Sequence, residues 1–508
     1  MKKLMTWSRW RRVRRAVQIL AFALYVYLLF SALQRRAAFP LADLFFRLDP
    51  LAALSAMVAD RAWIPRLALA LITLALTLLL GRVWCGWICP LGTLLEWVRF
   101  RPAETGFFEK TRSLRRFKYV LLLLILSMAL FGSLALLIFD PITLFTRTMT
   151  AAVLPAFNQA VTAAERALYP VAFLRPVIDW VERALRGPVL PVVQPVFGGS
   201  AFIFLLFLGI LALNALADRF WCRYLCPLGS LLGLLSKVAL LRPVIQPACN
   251  RCGHCVRACR LDAIETGAGY EIVPSECTVC LDCLAACPES GIGFEWRWRP
   301  APAQEYDPTR RQVLAALGVG AASLALLRTD AWAKKPDAHF IRPPGVEDED
   351  EFLSRCVRCS QCMKVCPTSG LQPALFEIGL EGLWTPHLVS RLGYCDYGCN
   401  ACGQICPSGA IPPLSLEEKQ TRVIGMAVVD RNRCLPWAYG TPCIVCEEMC
   451  PLAEKAIQLE DTGLTDDFGQ EIRRPYVILD RCIGCGICEQ QCPMAEAAIE
   501  VYRREDIA

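Results

Sequence analysis

Cys482-Ile483-Gly484-Cys485-Gly486-Ile487-Cys488-Glu489-Gln490-Gln491-Cys492-Pro493 is the stretch that decides how the second half of this chain folds. A C-x2-C-x2-C loop is tight enough to turn three sulfurs toward one [4Fe–4S] cube. A fourth cysteine, three residues further on, reaches a neighbouring cube. The proline behind it lacks an amide proton and stops the chain from continuing as a helix.

The same spacing recurs. The chain has 508 residues with 28 Cys and only 3 His. Six quartets take 24 of the cysteines: Cys249, Cys252, Cys255 and Cys259; Cys277, Cys280, Cys283 and Cys287; Cys356, Cys359, Cys362 and Cys366; Cys395, Cys399, Cys402 and Cys406; Cys434, Cys443, Cys446 and Cys450; Cys482, Cys485, Cys488 and Cys492. A disulfide framework does not call for such spacing six times over. Zinc knuckles use C-x2-C pairs but rarely add a third and fourth cysteine at these offsets. No C-x-x-C-H is present, so c-type haem attachment is excluded. Six [4Fe–4S] clusters are therefore expected, with these 24 cysteines as iron ligands. His254, His339 and His387 are each isolated in sequence and are read as structural.

With 55% hydrophobic residues and a mean hydropathy of +0.39, the chain is too apolar for a soluble polyferredoxin. Seven Lys/Arg and no acid stand in the first fifteen residues, a cytoplasmic anchor rather than a nucleic-acid arm. Apolar runs follow at Val17–Leu33, Trp63–Gly81, Tyr119–Phe139 and Ala201–Ala217, each near the ~20 residues that cross a bilayer. The loop 99–118 carries seven basic residues against two acidic ones, whereas the longer stretch 140–200 carries five against four. The positive-inside rule then puts the N-terminus, the 99–118 loop and the segment after the fourth run in the cytoplasm. Stretch 140–200 lies outside, where Ala163–Ala167 and Val177–Leu185 read as amphipathic surface helices.

This half contains a repeat. Arg82-Val-Trp84-Cys85-Gly-Trp-Ile-Cys89-Pro90-Leu91-Gly92 matches Arg219-Phe-Trp221-Cys222-Arg-Tyr-Leu-Cys226-Pro227-Leu228-Gly229. Pseudo-symmetry of two hairpins would bring Cys85, Cys89, Cys222 and Cys226 together. Three readings stand open for them: ligands of a further cluster, a cycling dithiol pair, or fixed helix ends.

From Leu240 the hydrophobicity falls and the first two quartets follow, about one ferredoxin half apart, with Cys259 expected to serve the second cube and Cys287 the first. Arg260 stands where a proline is usual. Thr309-Arg310-Arg311-Gln312-Val313-Leu314, the apolar run to Leu327 and Ala331-Trp-Ala333 form a twin-arginine-like segment. A domain whose clusters are built in a reducing cytoplasm must be exported folded, and in this position the segment becomes a fifth span. The alternative is a short buried helix. The acidic linker 347–351 leads into the last four quartets, two of them variants: Cys395-x3-Cys399, and Cys434-x8-Cys443 with the insertion 435–442. The stretch 462–474 reads as a surface insertion.

On these residues the chain resembles two families. Residues 1–300 are similar to NapH-type membrane ferredoxin proteins of periplasmic nitrate reductase systems, with four helices, two C-x3-C-P motifs and a two-cluster tail. Residues 309–508 are similar to the NapG and MauM ferredoxin-type proteins, with a twin-arginine segment and four quartets. The resemblance implies a natural fusion of the two that oxidises membrane quinol and passes electrons through [4Fe–4S] clusters to a periplasmic oxidoreductase or cytochrome. Resemblance to four-cluster subunits of the dimethyl-sulfoxide-reductase type implies pairing of quartets first with fourth and second with third. Under it Cys492 joins Cys356, Cys359 and Cys362, and Cys366 joins Cys482, Cys485 and Cys488. Pairing of adjacent quartets is the alternative.

The expected architecture is a multidomain membrane protein: an all-α domain of four helices in two hairpins (1–240) and small α+β ferredoxin-like domains. These are a cytoplasmic two-cluster domain (241–300), the fifth span and linker (301–345) and a periplasmic four-cluster domain (346–508), in a bacterial inner membrane. No general acid, nucleophile or substrate pocket shows in the sequence, so no catalytic residue is assigned. The part open to the chain in an enzyme is that of electron carrier in a quinol dehydrogenase. A maturation factor for a periplasmic redox enzyme and a cytoplasmic electron-delivery polyferredoxin are the rival functions.

Overall fold

The basic N-terminal block and the apolar run behind it form one continuous helix, Lys2–Leu33. The computed structural model describes residues 2–33, 41–98, 100, 114–186, 190–191, 194–267, 269–296, 309–327 and 337–507. Among the described residues, Trp7–Ala32 is the one helix long and apolar enough to cross a membrane. The other expected spans are shorter. Trp63–Gly81 folds as Pro65–Leu80, and Ala201–Ala217 as Ser200–Ala215. Tyr119–Phe139 folds as the helix Arg115–Leu130 followed by the 3-10 turn Ala135–Phe139. Gly132, at φ 86°, breaks that run. At ~1.5 Å of rise per residue such helices fall short of a hydrocarbon core of ~30 Å.

Two helices without a strong sequence signal extend the repeat. Pro50–Asp60 and Pro141–Thr148 both open on Asp-Pro. Asp49 Oδ1 accepts from the amide of Leu51 at 2.9 Å, and Asp140 Oδ2 from that of Thr143 at 2.8 Å. Proline at the first helical position and an aspartate cap before it form an ordinary helix start.

The chain divides into two compact units. One comprises Met1–Leu29, Asp43–Thr148 and Phe202–Ala325; the other comprises Phe30–Ala42, Met149–Ala201 and Leu326–Ala508.

The first unit holds the apolar helices and the first two quartets. Strands Leu241–Ile245 and Ile292–Trp296 pair antiparallel from Leu241↔Trp296 to Ile245↔Ile292. A shorter ribbon pairs Ile264 with Ile272. Ile264, Ile272, Leu284 and Ile292 are buried between the two cysteine loops. The helix Arg310–Leu327 packs on Arg115–Leu130 in this unit, and an added Cβ at Gly320 would stand 2.1 Å from Ser127 Oγ. Ala331-Trp-Ala333 lies outside the described residues, as do Arg99 and residues 101–113 of the basic loop.

In the second unit the expected surface helices occur as Leu154–Leu168 and Arg175–Leu185. The last four quartets are tied by short two-stranded ribbons: Leu371–Pro373 with Pro386–Leu388, and Met426–Val429 with Ile499–Tyr502. The stretch 462–474 belongs to a longer hairpin, Ile457–Thr465 with Glu471–Val477, kinked by a bulge after Asp461. Gln372 ties the quartet region to the stretch before Ser200: its Oε1 accepts from the Gly198 amide at 3.0 Å, and its Nε2 donates to Val196 O at 2.9 Å. Ala32 and Ala42 complete a small core with Val365, Ala401 and Ile405.

Candidate functional site

Turning three sulfurs inward over seven residues requires backbone that most residues avoid. In Cys482–Cys488 the residues flanking the middle cysteine are Gly484 (φ 72°) and Gly486 (φ 80°). The same two positions are left-handed in three other quartets: Arg251 and Gly253, Val279 and Leu281, Arg358 and Ser360. A β-branched valine at φ 53° is strained, and ligand geometry is what requires it. The two variant quartets lack this pattern; Asn400 and Ile444 stand at φ −127° and −124°. Their extra residues relax the turn.

Four of the six sulfur sets line cavities of their own. Cys259, Cys277, Cys280 and Cys283 line one, and Cys255 neighbours Cys249 and Cys287 in the other loop of that domain. This is the crossed arrangement that the spacing predicts. In the second unit Cys366 lines a cavity with Cys395, Cys399 and Cys402, while Cys406 neighbours Cys356, Cys359 and Cys362. Cys492 joins Cys434, Cys443 and Cys446, and Cys450 joins Cys482, Cys485 and Cys488. Pairing is thus between adjacent quartets, not first with fourth. The expectation drawn from the dimethyl-sulfoxide-reductase type is corrected. The short helices Gln361–Val365 and Ala401–Ile405 pack together, as do Val445–Glu448 and Ile487–Gln491, and each pair exchanges its fourth cysteine.

The donor sets suit iron–sulfur clusters. Backbone amides already point at the sulfurs: Ala263 N to Cys259 at 3.2 Å, Gly291 N to Cys287 at 3.2 Å, Ala427 N to Cys482 at 3.4 Å and Ala498 N to Cys492 at 3.3 Å. Burial pushes the Cys277, Cys446 and Cys485 thiols up to about 12. Such groups become thiolates only against the charge of bound metal. Among the described residues no three Cys, His, Asp or Glu are disposed around a single metal ion. A cube spaces its ligands further apart.

The C-x3-C-P motifs form a second kind of site. Cys89 caps the helix Pro90–Trp97 and Cys226 caps Pro227–Ser236; their sulfurs accept from Gly92 N at 3.4 Å and Gly229 N at 3.2 Å. The motifs interleave. Arg219 Nη2 donates to Cys85 O at 2.7 Å and stands where a Cβ on Gly92 would be 2.8 Å away; Arg82 Nη2 has the same relation to Gly229. Cys85, Cys89, Cys222 and Cys226 are all buried. Cys85 lies within Coulombic reach of Cys222, Cys89 of Cys85 and Cys222, and Cys226 of the other three.

The loop carrying Cys277 is seated on these motifs. Arg82 Nη1 donates to Ser275 O at 2.5 Å and Trp87 Nε1 to Val279 O at 3.0 Å. An added Cβ at Gly86 would stand 2.2 Å from Thr278 O. Lys118 Nζ lies 2.6 Å from Glu276, and Arg115 lies 2.6 Å from Asp262. Burial acts to raise Glu276, but Lys118 and Arg82 hold it below the usual carboxylate range. Glu96 gathers Arg14 at 2.7 Å, Gln18 at 2.9 Å and Arg260 at 3.0 Å. Burial opposes ionisation there, yet Arg14 and Arg219 hold it at about 2. Arg260, which replaces the usual proline, is a partner in this network. Sequence reasoning missed Arg82, Arg219, Gly92 and Gly229 as site residues, although the repeat alignment sets them in register. Lys118, Glu276 and Glu96 carry no local signal.

Comparison with known proteins places the clusters in a family. A 4Fe-4S binding domain family matches residues 62–110 and 200–245, the segments that carry both C-x3-C-P motifs. Another 4Fe-4S binding domain matches residues 473–494. The methylamine utilization ferredoxin-type protein MauM of Methylorubrum extorquens is 37% identical over 193 residues, 84% of its length and 36% of this chain. The chain belongs to the MauM/NapG family of ferredoxin-type proteins. The ferredoxin-type protein NapG of Escherichia coli is 36% identical over 180 residues, 76% of its length and 35% of this chain. A MauM of Paracoccus denitrificans is 36% identical over 189 residues. No solved structure matches. The MauM/NapG relationship and the two domain matches make this an iron–sulfur electron-transfer protein, and about a third of its length aligns with these relatives.

Proposed function

We propose that the chain is a multi-pass inner-membrane protein, a NapH-like half fused to a NapG/MauM-like half, that oxidises quinol and delivers electrons to a periplasmic oxidoreductase. Six [4Fe–4S] clusters, held by the 24 quartet cysteines, supply one-electron transfer when bound. The observation that carries the reading is the division of the chain. Stretches 30–42 and 149–201, mostly outside by the charge rule, share a compact unit with the last four quartets. The segments on either side of them, with the apolar helices and the first two quartets, form the other unit. A topology with cysteine domains on both sides of a membrane requires this division.

The chain's own residues do the positioning. Arg82 and Trp87 fix the loop 274–279 on the first motif, Lys118 pairs with its Glu276 from the helix Arg115–Leu130, Glu96 holds Arg260, and Gly86 lets the two backbones approach. Electron transfer needs such close packing and little reorganisation. The buried guanidinium groups of Arg82 and Arg219 place positive charge beside the thiols, where negative charge accumulates on reduction.

The test is anaerobic addition of a menaquinol analogue to the purified full chain. Bleaching of the broad absorbance near 400 nm is the expected result; an unreduced spectrum overturns the reading. Protease added from the periplasmic side should cut within 346–508, and a protected C-terminal half overturns the topology.

A further inference from the structure

Asp49 and Asp140 stand in the two copies of the extended repeat, each just before a proline that opens a helix. Both are fully buried in the first unit, and their carboxyl groups are in hydrogen-bonding contact with each other. One oxygen of each is occupied: Asp49 Oδ1 accepts from the amides of Leu51 and Ala52, and Asp140 Oδ2 from those of Ile142 and Thr143. The other two, Asp49 Oδ2 and Asp140 Oδ1, have no donor. Two acceptors do not satisfy each other, and two buried carboxylates in contact cannot both ionise. A single proton between them answers both demands. Neither acid has a basic partner among the described residues: Arg47 and Arg66 pair with Asp43, and Arg147 Nη2 donates to Ile138 O at 3.1 Å.

Helix capping does not require this arrangement. Serine or asparagine caps as well as aspartate and carries no charge, yet both copies bring an acid to the same buried point. The helix Pro141–Thr148 leads away from it. Thr143 and Thr146, three residues apart, share one face. The Thr143 hydroxyl is fully buried, turned to Asp140 and otherwise without a partner. Thr146 Oγ1 lies 2.8 Å from Tyr25 Oη. Tyr25 is within Coulombic reach of Cys89, whose helix Pro90–Trp97 packs on Pro141–Thr148. A line of buried hydroxyls thus runs from a cysteine motif to the acid pair, between the rings of Phe45 and Phe145 that flank Tyr25. We propose that Asp49 and Asp140 form a proton-transfer site, which holds one shared proton, takes up a second and passes it to the outside. The role deepens the quinol reading and rests on it. Quinol loses two electrons, one at a time, to the clusters, and two protons. One proton per electron reaches the pair along the hydroxyls and leaves for water on the outer side, where the charge rule puts stretch 140–200.

The experiment uses the full chain, purified anaerobically in detergent. Infrared spectra in light and heavy water should show a protonated-carboxyl band that shifts on exchange. The band should be absent from Asp49→Asn and from Asp140→Asn, where asparagine keeps the cap and donates to the remaining acid. A menaquinol analogue should bleach the cluster absorbance roughly 100-fold more slowly in each variant, while dithionite bleaches them as fully as wild type. A wild type without the band, or a band that survives in both variants, overturns the shared proton. Equal rates with quinol in wild type and variants overturn the transfer role. If the asparagine variants fail to accumulate, Tyr25→Phe carries the test: it should keep the band and slow bleaching by quinol, and an unchanged rate overturns the route. A wild type that dithionite reduces and quinol does not overturns the quinol reading, and the band alone then decides whether the pair holds a proton.

Discussion

The quartet loops and the helix-end motifs both gather cysteines, by opposite means. A regular quartet does most of it locally: seven residues, two of them left-handed, turn three sulfurs toward one another, and a fourth arrives from a neighbouring quartet. The motifs aim nothing by themselves. Cys89 and Cys226 are helix caps, and their assembly depends on Arg82 and Arg219 crossing between the copies. The first kind of site tolerates relocation, and occurs here six times in two units. The second exists only where the two copies of the motif meet.

The largest expected effect tests the local side of that comparison. Gly484 stands at φ 72° with the Gly425 backbone 2.4 Å from where a Cβ would be. Gly484→Ala should cost roughly 4 kcal/mol or more, read as loss of iron from one cube and a lower Tm. At Gly253, also left-handed, the nearest atom is the Tyr270 hydroxyl at 3.8 Å, so Gly253→Ala should cost only about 1–2 kcal/mol.

The tertiary side breaks at Lys118. Lys118→Met leaves Glu276 buried with a weaker partner, Arg82 at 3.7 Å, and should destabilise the first unit by about 3–5 kcal/mol. The double variant Lys118→Met/Glu276→Gln should lose less, which a double-mutant cycle by thermal unfolding will show. A single-variant loss under 1 kcal/mol would mean that the loop 274–279 is held by backbone packing alone.

Acid sharpens the comparison next. Glu96 is held at about 2, below its ordinary value near 4.5, so its contribution is fully present above pH 4.5 and fades as the pH falls toward 2. A gap of that size corresponds to about 3 kcal/mol. The Tm advantage of wild type over Glu96→Gln should therefore shrink between pH 6 and pH 3; a constant difference would remove Glu96 from the seating of this domain.

The smallest effect is purely local. Ser415 and Glu418 form a reciprocal capping box on Leu416–Thr421. Ser415→Ala should cost about 1 kcal/mol, measured by chemical unfolding, and leave every cube intact.

Spacing alone pointed to the first three cysteines of each quartet acting together, because a short loop turns them toward one centre. It also settled the crossed partners Cys259 and Cys287, since that domain contains just two loops. The apolar runs announced helices, and the repeat announced their kinship. With four quartets, partner choice depends on which short helices pack, and the structure pairs adjacent ones. Charge and glycine at Arg82, Glu96, Gly86 and Glu276 acquire meaning only when distant backbones touch. A side chain buried by a partner 158 to 193 positions away leaves no periodic trace. Local geometry is written in consecutive residues, whereas electrostatic complementarity across a fold becomes visible when the chain has closed on itself.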